Sequence, residues 1–247
     1  MFDQFIRSLA AGALDCTLVV FPILIWALIK KDRKAIRATL LVGALFLADL
    51  VLVYLPLAYG SKGMAWAWQG KIFETAAFLG IAAAMKLKDK AGIVMPRRMI
   101  WIPLGILLGF LYTTGDFWKF FTGSYEARKS DLNIISYELT MPGIAEELSF
   151  RGVMLGLMDD AFGRPVKFLG ETFGVGYVAT TLLFLFGHAL MVDEHWKLVF
   201  AVETIPDFLL FGTLMCWLRY RSGSILPCVL VHNVNNAICF ILAALKH

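Results

Sequence analysis

The sequence predicts an all-α, polytopic integral membrane bundle of about eight transmembrane helices, and three observations predict it. Of 247 residues, 59% are hydrophobic and 17% charged, against roughly 45–50% and about 25% in a soluble globular domain. Long apolar runs follow one another with short polar interruptions, and a bilayer-spanning helix needs about 20 apolar residues. Basic residues fall unevenly on alternate connections, the asymmetry that orients multi-pass proteins. This composition excludes a disordered chain, a nucleic-acid module and an ordinary cytosolic enzyme. It leaves no length for a separate soluble domain, so residues 1–247 read as a single integral membrane domain.

The first run, Ala11–Ile29, follows Asp3 and Arg7, contains Asp15 and continues into Lys30-Lys31-Asp32-Arg33-Lys34. That flank is unlike a cleavable leader, and the run is expected to be a retained span. Ala35–Tyr59 is the second. Ile72–Met85 and Ile100–Thr114 are short, and reach spanning length only if Ala65–Gly70, with Trp66 and Trp68, and Ala91–Met99 are added to them. Ile134–Leu157, Gly174–Met191, Leu198–Arg219 and Ile225–Leu245 complete the set.

Fourteen basic residues fall on one side: Lys30, Lys31, Arg33, Lys34 and Arg37, then Lys86, Lys88, Lys90, Arg97 and Arg98, then Arg164 and Lys167, then Arg219 and Arg221. The other side carries Arg7, Lys62, Lys71, Lys119, Arg128, Lys129, Lys197 and Lys246, and Arg151 stays within a run. The stretch Asp116–Asp131 mixes aromatics with alternating charge. It reads as an interfacial connector with its rings at headgroup depth, the alternative being a gate beside an intramembrane site. Cys16, Cys216, Cys228 and Cys239 lack metal-knuckle or CxxC spacing and are expected to pack as small hydrophobes.

An ionisable group inside a span is costly and marks a functional site by default. Asp15, Asp49 and Glu74 stand as isolated acids for which structural roles are expected. Glu203 and Asp207, four apart around Pro206, are expected on one face, either lining a cavity or making a polar packing contact beside a proline kink. Three other constellations each contain an i,i+4 pair, the spacing that puts two side chains on one helix face.

In Glu146-Glu147-Leu148-Ser149-Phe150-Arg151, Glu147 and Arg151 can pair and lower the cost of keeping both in the membrane. Glu146, about 100° around the helix from its neighbour, is then the freer carboxylate. Desolvation would suit it to take and return a proton; the alternative is a purely structural ionic cluster. Pro142-Gly143 just upstream is expected to interrupt the helix. In Phe184-Leu185-Phe186-Gly187-His188, Phe184 can pack beside the imidazole one turn later. In His232-Asn233-Val234-Asn235-Asn236, His232 and Asn236 share a face, and two donors converging on one point are what a developing oxyanion requires. Asn233 and Asn235, on other faces, are expected to bond between helices.

One carboxylate, a histidine partner and a second histidine with an amide suffice for attack of water on an amide. Glu146 would deprotonate the water with His188 orienting it, and His232 with Asn236 would hold the oxyanion. The motifs EExxxR, FxxxH and HxxxN, in this order on successive hydrophobic segments, resemble the CPBP family of intramembrane proteases. That family includes type II CAAX prenyl proteases and prokaryotic members linked to bacteriocin processing or immunity.

The likeness covers about residues 142–237, including Ser222–Pro227, and is preceded by four less recognisable spans. It implies Glu146 as the catalytic glutamate, His188 as its partner and His232 with Asn236 as oxyanion stabilisers, with Glu147, Arg151 and Phe184 supporting. It further implies a multi-pass protein of a prokaryotic cell membrane acting on a membrane-associated peptide or protein, and no nucleic-acid partner. Eleven residues follow Asn236, where the prenyl-protein proteases of the family carry a further helix, and this departure speaks against a prenyl-cysteine substrate. No cofactor is expected. The rival readings are a zinc protease using Glu146, His188 and His232 as ligands, a transporter, and a non-catalytic immunity or binding protein.

Overall fold

The structure, a computed structural model, describes residues 2–125 and 130–246. Apolar sequence dominates the first two helices, α1 (Phe2–Ile29) and α2 (Arg33–Ala58), which form an antiparallel pair. Their reversal is tight because Lys31 takes a positive φ of 53° and Asp32 caps α2. The Asp32 carboxylate accepts from the backbone N–H of Lys34 at 2.9 Å and of Ala35 at 3.0 Å, satisfying donors that a helix start leaves open. Helix α3 (Met64–Ala84) incorporates Ala65–Gly70, as the length requirement demanded.

Ala91–Met99 does not extend the next helix, and α4 is only Trp101–Tyr112, followed directly by α5 (Thr114–Phe121). The backbone groups of this stretch bond across the fold instead. Arg97 N–H donates to Ser222 O at 2.8 Å, Ile225 N–H to Gly92 O at 3.0 Å, and the Ser224 hydroxyl to Val94 O at 2.5 Å. Ser224 Oγ also accepts from Leu226 N–H at 3.1 Å. The stretch Ser222–Pro227 is therefore a corner that starts the last helix and pins an irregular chain to it.

The fifth run is broken rather than continuous. It comprises α6 (Leu132–Glu138), α7 (Met141–Glu146), a π-helical turn (Glu147–Met154) and α8 (Leu155–Phe162). The interruption falls at Thr140, with Pro142 in the first turn of α7, a position where its missing N–H costs nothing. After it come a short hairpin of β1 (Val166–Phe168) and β2 (Glu171–Phe173), then α9 (Val175–Ala189).

A second hairpin, β3 (Leu190–Val192) and β4 (Leu198–Phe200), pairs Leu190 with Phe200. The protein is mostly helical, as expected, with these two short hairpins added, and the second removes the end of the sixth run and the start of the seventh from their helices. Helix α10 (Ile205–Ser222) starts, rather than kinks, at Pro206, and Glu203 lies in a 3-10 turn before it. Glu203 and Asp207 consequently do not share a face of one helix. Helix α11 (Leu226–Leu245) ends the described chain.

Each of the eight apolar runs contains helix, but eight spans are not reproduced. Among the described residues three helices, α1, α2 and α11, are long and apolar enough to cross a membrane. Helices α4 and α9 have 12 and 15 residues. Charged side chains interrupt α3, with Lys71 and Glu74, and α10, with Asp207, Arg219 and Arg221.

One buried cluster, with Phe46, Phe78, Phe184, Leu218 and Val231 among its members, joins the first three helices to α9–α11. At one end the basic connections gather around an acid, with Lys90 Nζ 2.7 Å and Lys34 Nζ 3.2 Å from Asp160. Hydrogen bonds from these lysines hold the Asp160 carboxyl below the usual carboxylate range. Lys34, Lys90 and Arg164 meet there as the charge asymmetry predicts. Arg128 and Lys129, and with them part of the Asp116–Asp131 connector, lie outside the described residues. In its described part α5 exposes Trp118 and Phe121.

Ser224→Ala removes both bonds of the Ser224 hydroxyl, and should cost about 1–3 kcal/mol. Thermal unfolding in detergent should show the loss, with activity per folded molecule unchanged.

Candidate active site

Six helices, α4, α6, α7, α9, α10 and α11, converge on a cavity of about 410 Å³ lined by Glu138, Glu146, His188, His232, Asn235 and Asn236, among others. Two cavities of similar size, about 460 Å³ around Asp15 and about 400 Å³ around Arg219, are lined by no histidine. Glu146 closes α7, and Glu147 opens the π-helical turn, a local geometry found mostly at functional sites. By position along continuous helices, His188, Glu146 and His232 would sit at different depths. The break at Thr140 and the π turn bring them to one level.

Glu146 Oε2 lies 3.9 Å from His188 Nε2 and 3.8 Å from His232 Nε2. These separations exceed a direct hydrogen bond and suit a bridging water. His188 Nδ1 donates to the Phe184 carbonyl at 2.7 Å, so in the neutral ring Nε2 presents its lone pair to Glu146. Phe184 packs against His188 at a tilt of 38° with centroids 4.4 Å apart, and Phe208 packs against the same ring at 4.8 Å. The ring is thereby fixed in place, with 37% of its side chain exposed to the cavity.

Glu147 is wholly buried and has two partners. Its Oε1 accepts from His232 Nδ1 at 2.9 Å, and its Oε2 lies 3.5 Å from Arg151 Nε. Arg151, also wholly buried, lays its guanidinium 4.2 Å over the Phe184 ring, a cation–π contact. The Arg151–Phe184 contact links the EExxxR and FxxxH motifs, and Glu147 links EExxxR to His232. With Nδ1 committed to Glu147, His232 can donate through Nε2 only when the ring carries both protons.

Asn236 Nδ2 donates to Glu138 Oε2 at 3.0 Å, and its Oδ1 accepts from Asn235 Nδ2 at 3.4 Å. Asn235 thus lines the cavity with Asn236 rather than serving another helix. Asn233 does bond between helices: its Oδ1 accepts from Gly143 N–H at 2.8 Å and its Nδ2 donates to Thr140 O at 2.9 Å. A Cβ on Gly143 would fall 2.4 Å from Asn233 Oδ1, so only glycine admits this bond. Pro142-Gly143 breaks the helix and lets its freed backbone dock on α11.

Two site residues escape the sequence reading. Lys71, assigned there to an outer connection, is buried in α3 with Nζ 2.8 Å from Glu146 Oε1 and 2.8 Å from Glu74 Oε2. Glu146, read from the sequence as the freer carboxylate, is therefore paired through Oε1, and Glu74 is not isolated. The i,i+3 spacing of Lys71 and Glu74 inside an apolar run was the available signal. Glu138 carried none, because its approach to Asn236 depends on the chain break.

Fold and site together define a class: a helical protein with membrane-length helices that gathers a carboxylate, two imidazoles and an amide around one cavity. Residues 130–238 match the family model for type II CAAX prenyl endopeptidase Rce1-like proteins. That stretch, under half of the chain, is similar to this family of membrane proteases, and it contains all three motifs. Helices α1–α3, with Lys71, lie outside it. No curated protein and no solved structure matches the chain.

Glu147→Gln should leave the Arg151 charge buried and uncompensated, a loss of about 3–5 kcal/mol. Glu147→Gln with Arg151→Met should recover most of it. Chemical unfolding in detergent distinguishes the two.

Proposed function

We propose that the chain is a multi-pass intramembrane endopeptidase of CAAX type in a prokaryotic cell membrane. It hydrolyses a peptide bond of a membrane-associated peptide or protein, using water activated by Glu146 and no cofactor. The observation that carries this reading is the placement of Glu146 Oε2 between two imidazole Nε2 atoms at 3.8–3.9 Å. A water there can bond to Glu146 and to His188 together. Glu146 takes its proton as the oxygen attacks the carbonyl carbon, and the carbonyl π electrons move to oxygen.

The resulting oxyanion meets His232 Nε2–H of the doubly protonated ring, whose charge Glu147 balances, and the amide hydrogen of Asn236 not given to Glu138. Each such donor contributes about 3–4 kcal/mol in comparable soluble sites. Collapse of the tetrahedral species breaks the C–N bond, and the proton held by Glu146 passes to the leaving amine. The cavity, walled by Phe184, Phe208 and Phe211, suits an extended apolar segment next to the scissile bond.

A zinc site on Glu146, His188 and His232 is less well supported. The Lys71 ammonium is bonded to Glu146, and among the described residues no three His, Cys, Asp or Glu side chains are grouped as metal ligands. Stoichiometric zinc in the purified protein, with activity lost to chelator and restored by metal, would favour the metal mechanism.

The activity test uses an internally quenched peptide ending in a CAAX motif, with and without an S-farnesyl group, in phospholipid vesicles. Glu146→Gln and His188→Ala should abolish cleavage in protein that remains folded. Asn236→Ala should lower kcat by about 10²–10³-fold with little change in KM. Full cleavage by Glu146→Gln would sink the mechanism, and a cellular phenotype that survives that substitution would point to a binding or immunity role.

A further inference from the structure

We propose that Lys71, contributed by a helix outside the family-matched segment, is the positioning residue of the active-site glutamate. The proposal rests on the reading of Glu146 as the general base. Lys71 Nζ contacts Glu146 Oε1 and Glu74 Oε2, both at 2.8 Å, and the lysine side chain is 9% exposed. It is not among the residues that line the cavity, so it reaches Glu146 from behind and does not meet substrate.

A carboxylate has two oxygens, and here they are divided. Oε1 is tied to Lys71, and Oε2 alone faces His188 and His232. The tie fixes the rotation of the carboxyl plane, and reaction rates respond steeply to displacements of about 1 Å in such groups.

Lys71 is aimed in turn. Glu74 is wholly buried and receives the Ser149 hydroxyl at 3.3 Å on Oε1, leaving Oε2 for the ammonium. Asp49 of α2 is buried close enough to feel Glu74, Lys71 and Glu146 electrostatically. The backbone is placed by Gly70, where a Cβ would come within 2.2 Å of Val53 O. Helix α3 thus sits against α2 at a distance no other residue allows, one residue before Lys71. A buried ammonium without partners would be costly; this one has two carboxylates from two elements, one of them the proposed base.

The same arrangement could be a structural ion triad that happens to include Glu146, and the experiment separates the two. Lys71→Met alone strands Glu74 and Glu146 as buried charges, so Lys71→Met with Glu74→Gln is the informative variant. Assayed on the quenched CAAX peptides in vesicles, the folded double variant should lose about 10²-fold in kcat, with KM within about threefold of wild type. Lys71→Arg, which keeps both pairs but alters their geometry, should retain folding and lose about 3–10-fold in kcat.

The infrared carboxylate band assigned by its loss in Glu146→Gln should move in the double variant, a readout independent of turnover. Wild-type kcat in the folded double variant, an unmoved band, or full activity of Lys71→Arg would each overturn the proposal. Absence of any Glu146-dependent cleavage by wild type would count against the proposed function instead, and the infrared measurement would still decide the role of Lys71.

Discussion

The site depends on one buried carboxylate with two partners. Glu147 has no exposed surface, and it holds His232 at 2.9 Å and Arg151 at 3.5 Å. A carboxylate, a guanidinium and an imidazole taken out of water are tolerable only together, so α11 must approach the π-helical turn closely enough for the three to meet. Arg151 then lies over Phe184, and Phe184 sets the neighbouring His188. Remove Glu147 and His232 loses its orienting bond while Arg151 loses its counter-charge. The next residue back, Glu146, points into the cavity because the helix changes its winding between the two glutamates.

The same economy runs through the surrounding fold. Thr140 and Gly143 lose helical continuity and recover their hydrogen bonds from Asn233, which meets the demand that backbone groups in a bilayer be satisfied internally. Ser224 does likewise for the irregular chain around Val94. Both of these departures from regular helix have a polar side chain assigned to them, and both position α11, which carries His232 and Asn236.

The three motifs were legible in the sequence because i,i+4 spacing survives most local distortions. Glu147 with Arg151, Phe184 with His188, and His232 with Asn236 occupy the neighbourhoods that their spacing suggests. The apolar runs located the helices for the same reason, hydrophobicity being a property of composition. What stayed hidden depends on tertiary approach. Lys71 read as a flanking charge because orientation counting assigns every lysine near a run's end to a connection, whereas its carboxylate partners arrive from α3 itself and from α7. Glu203 and Asp207 were placed on one helix because Pro206 reads equally as a kink or a start. The hairpins, each of two three-residue strands, are too short to leave a periodic signature.

The central claim is that water, activated by Glu146, attacks the peptide bond directly. A single turnover in oxygen-18 water, followed by mass spectrometry of both products and of the enzyme peptide containing Glu146, tests it. One heavy oxygen in the new product carboxylate and none in the Glu146 side chain is the predicted result. Label in Glu146 would show that the glutamate had formed a covalent acyl intermediate and would contradict the account.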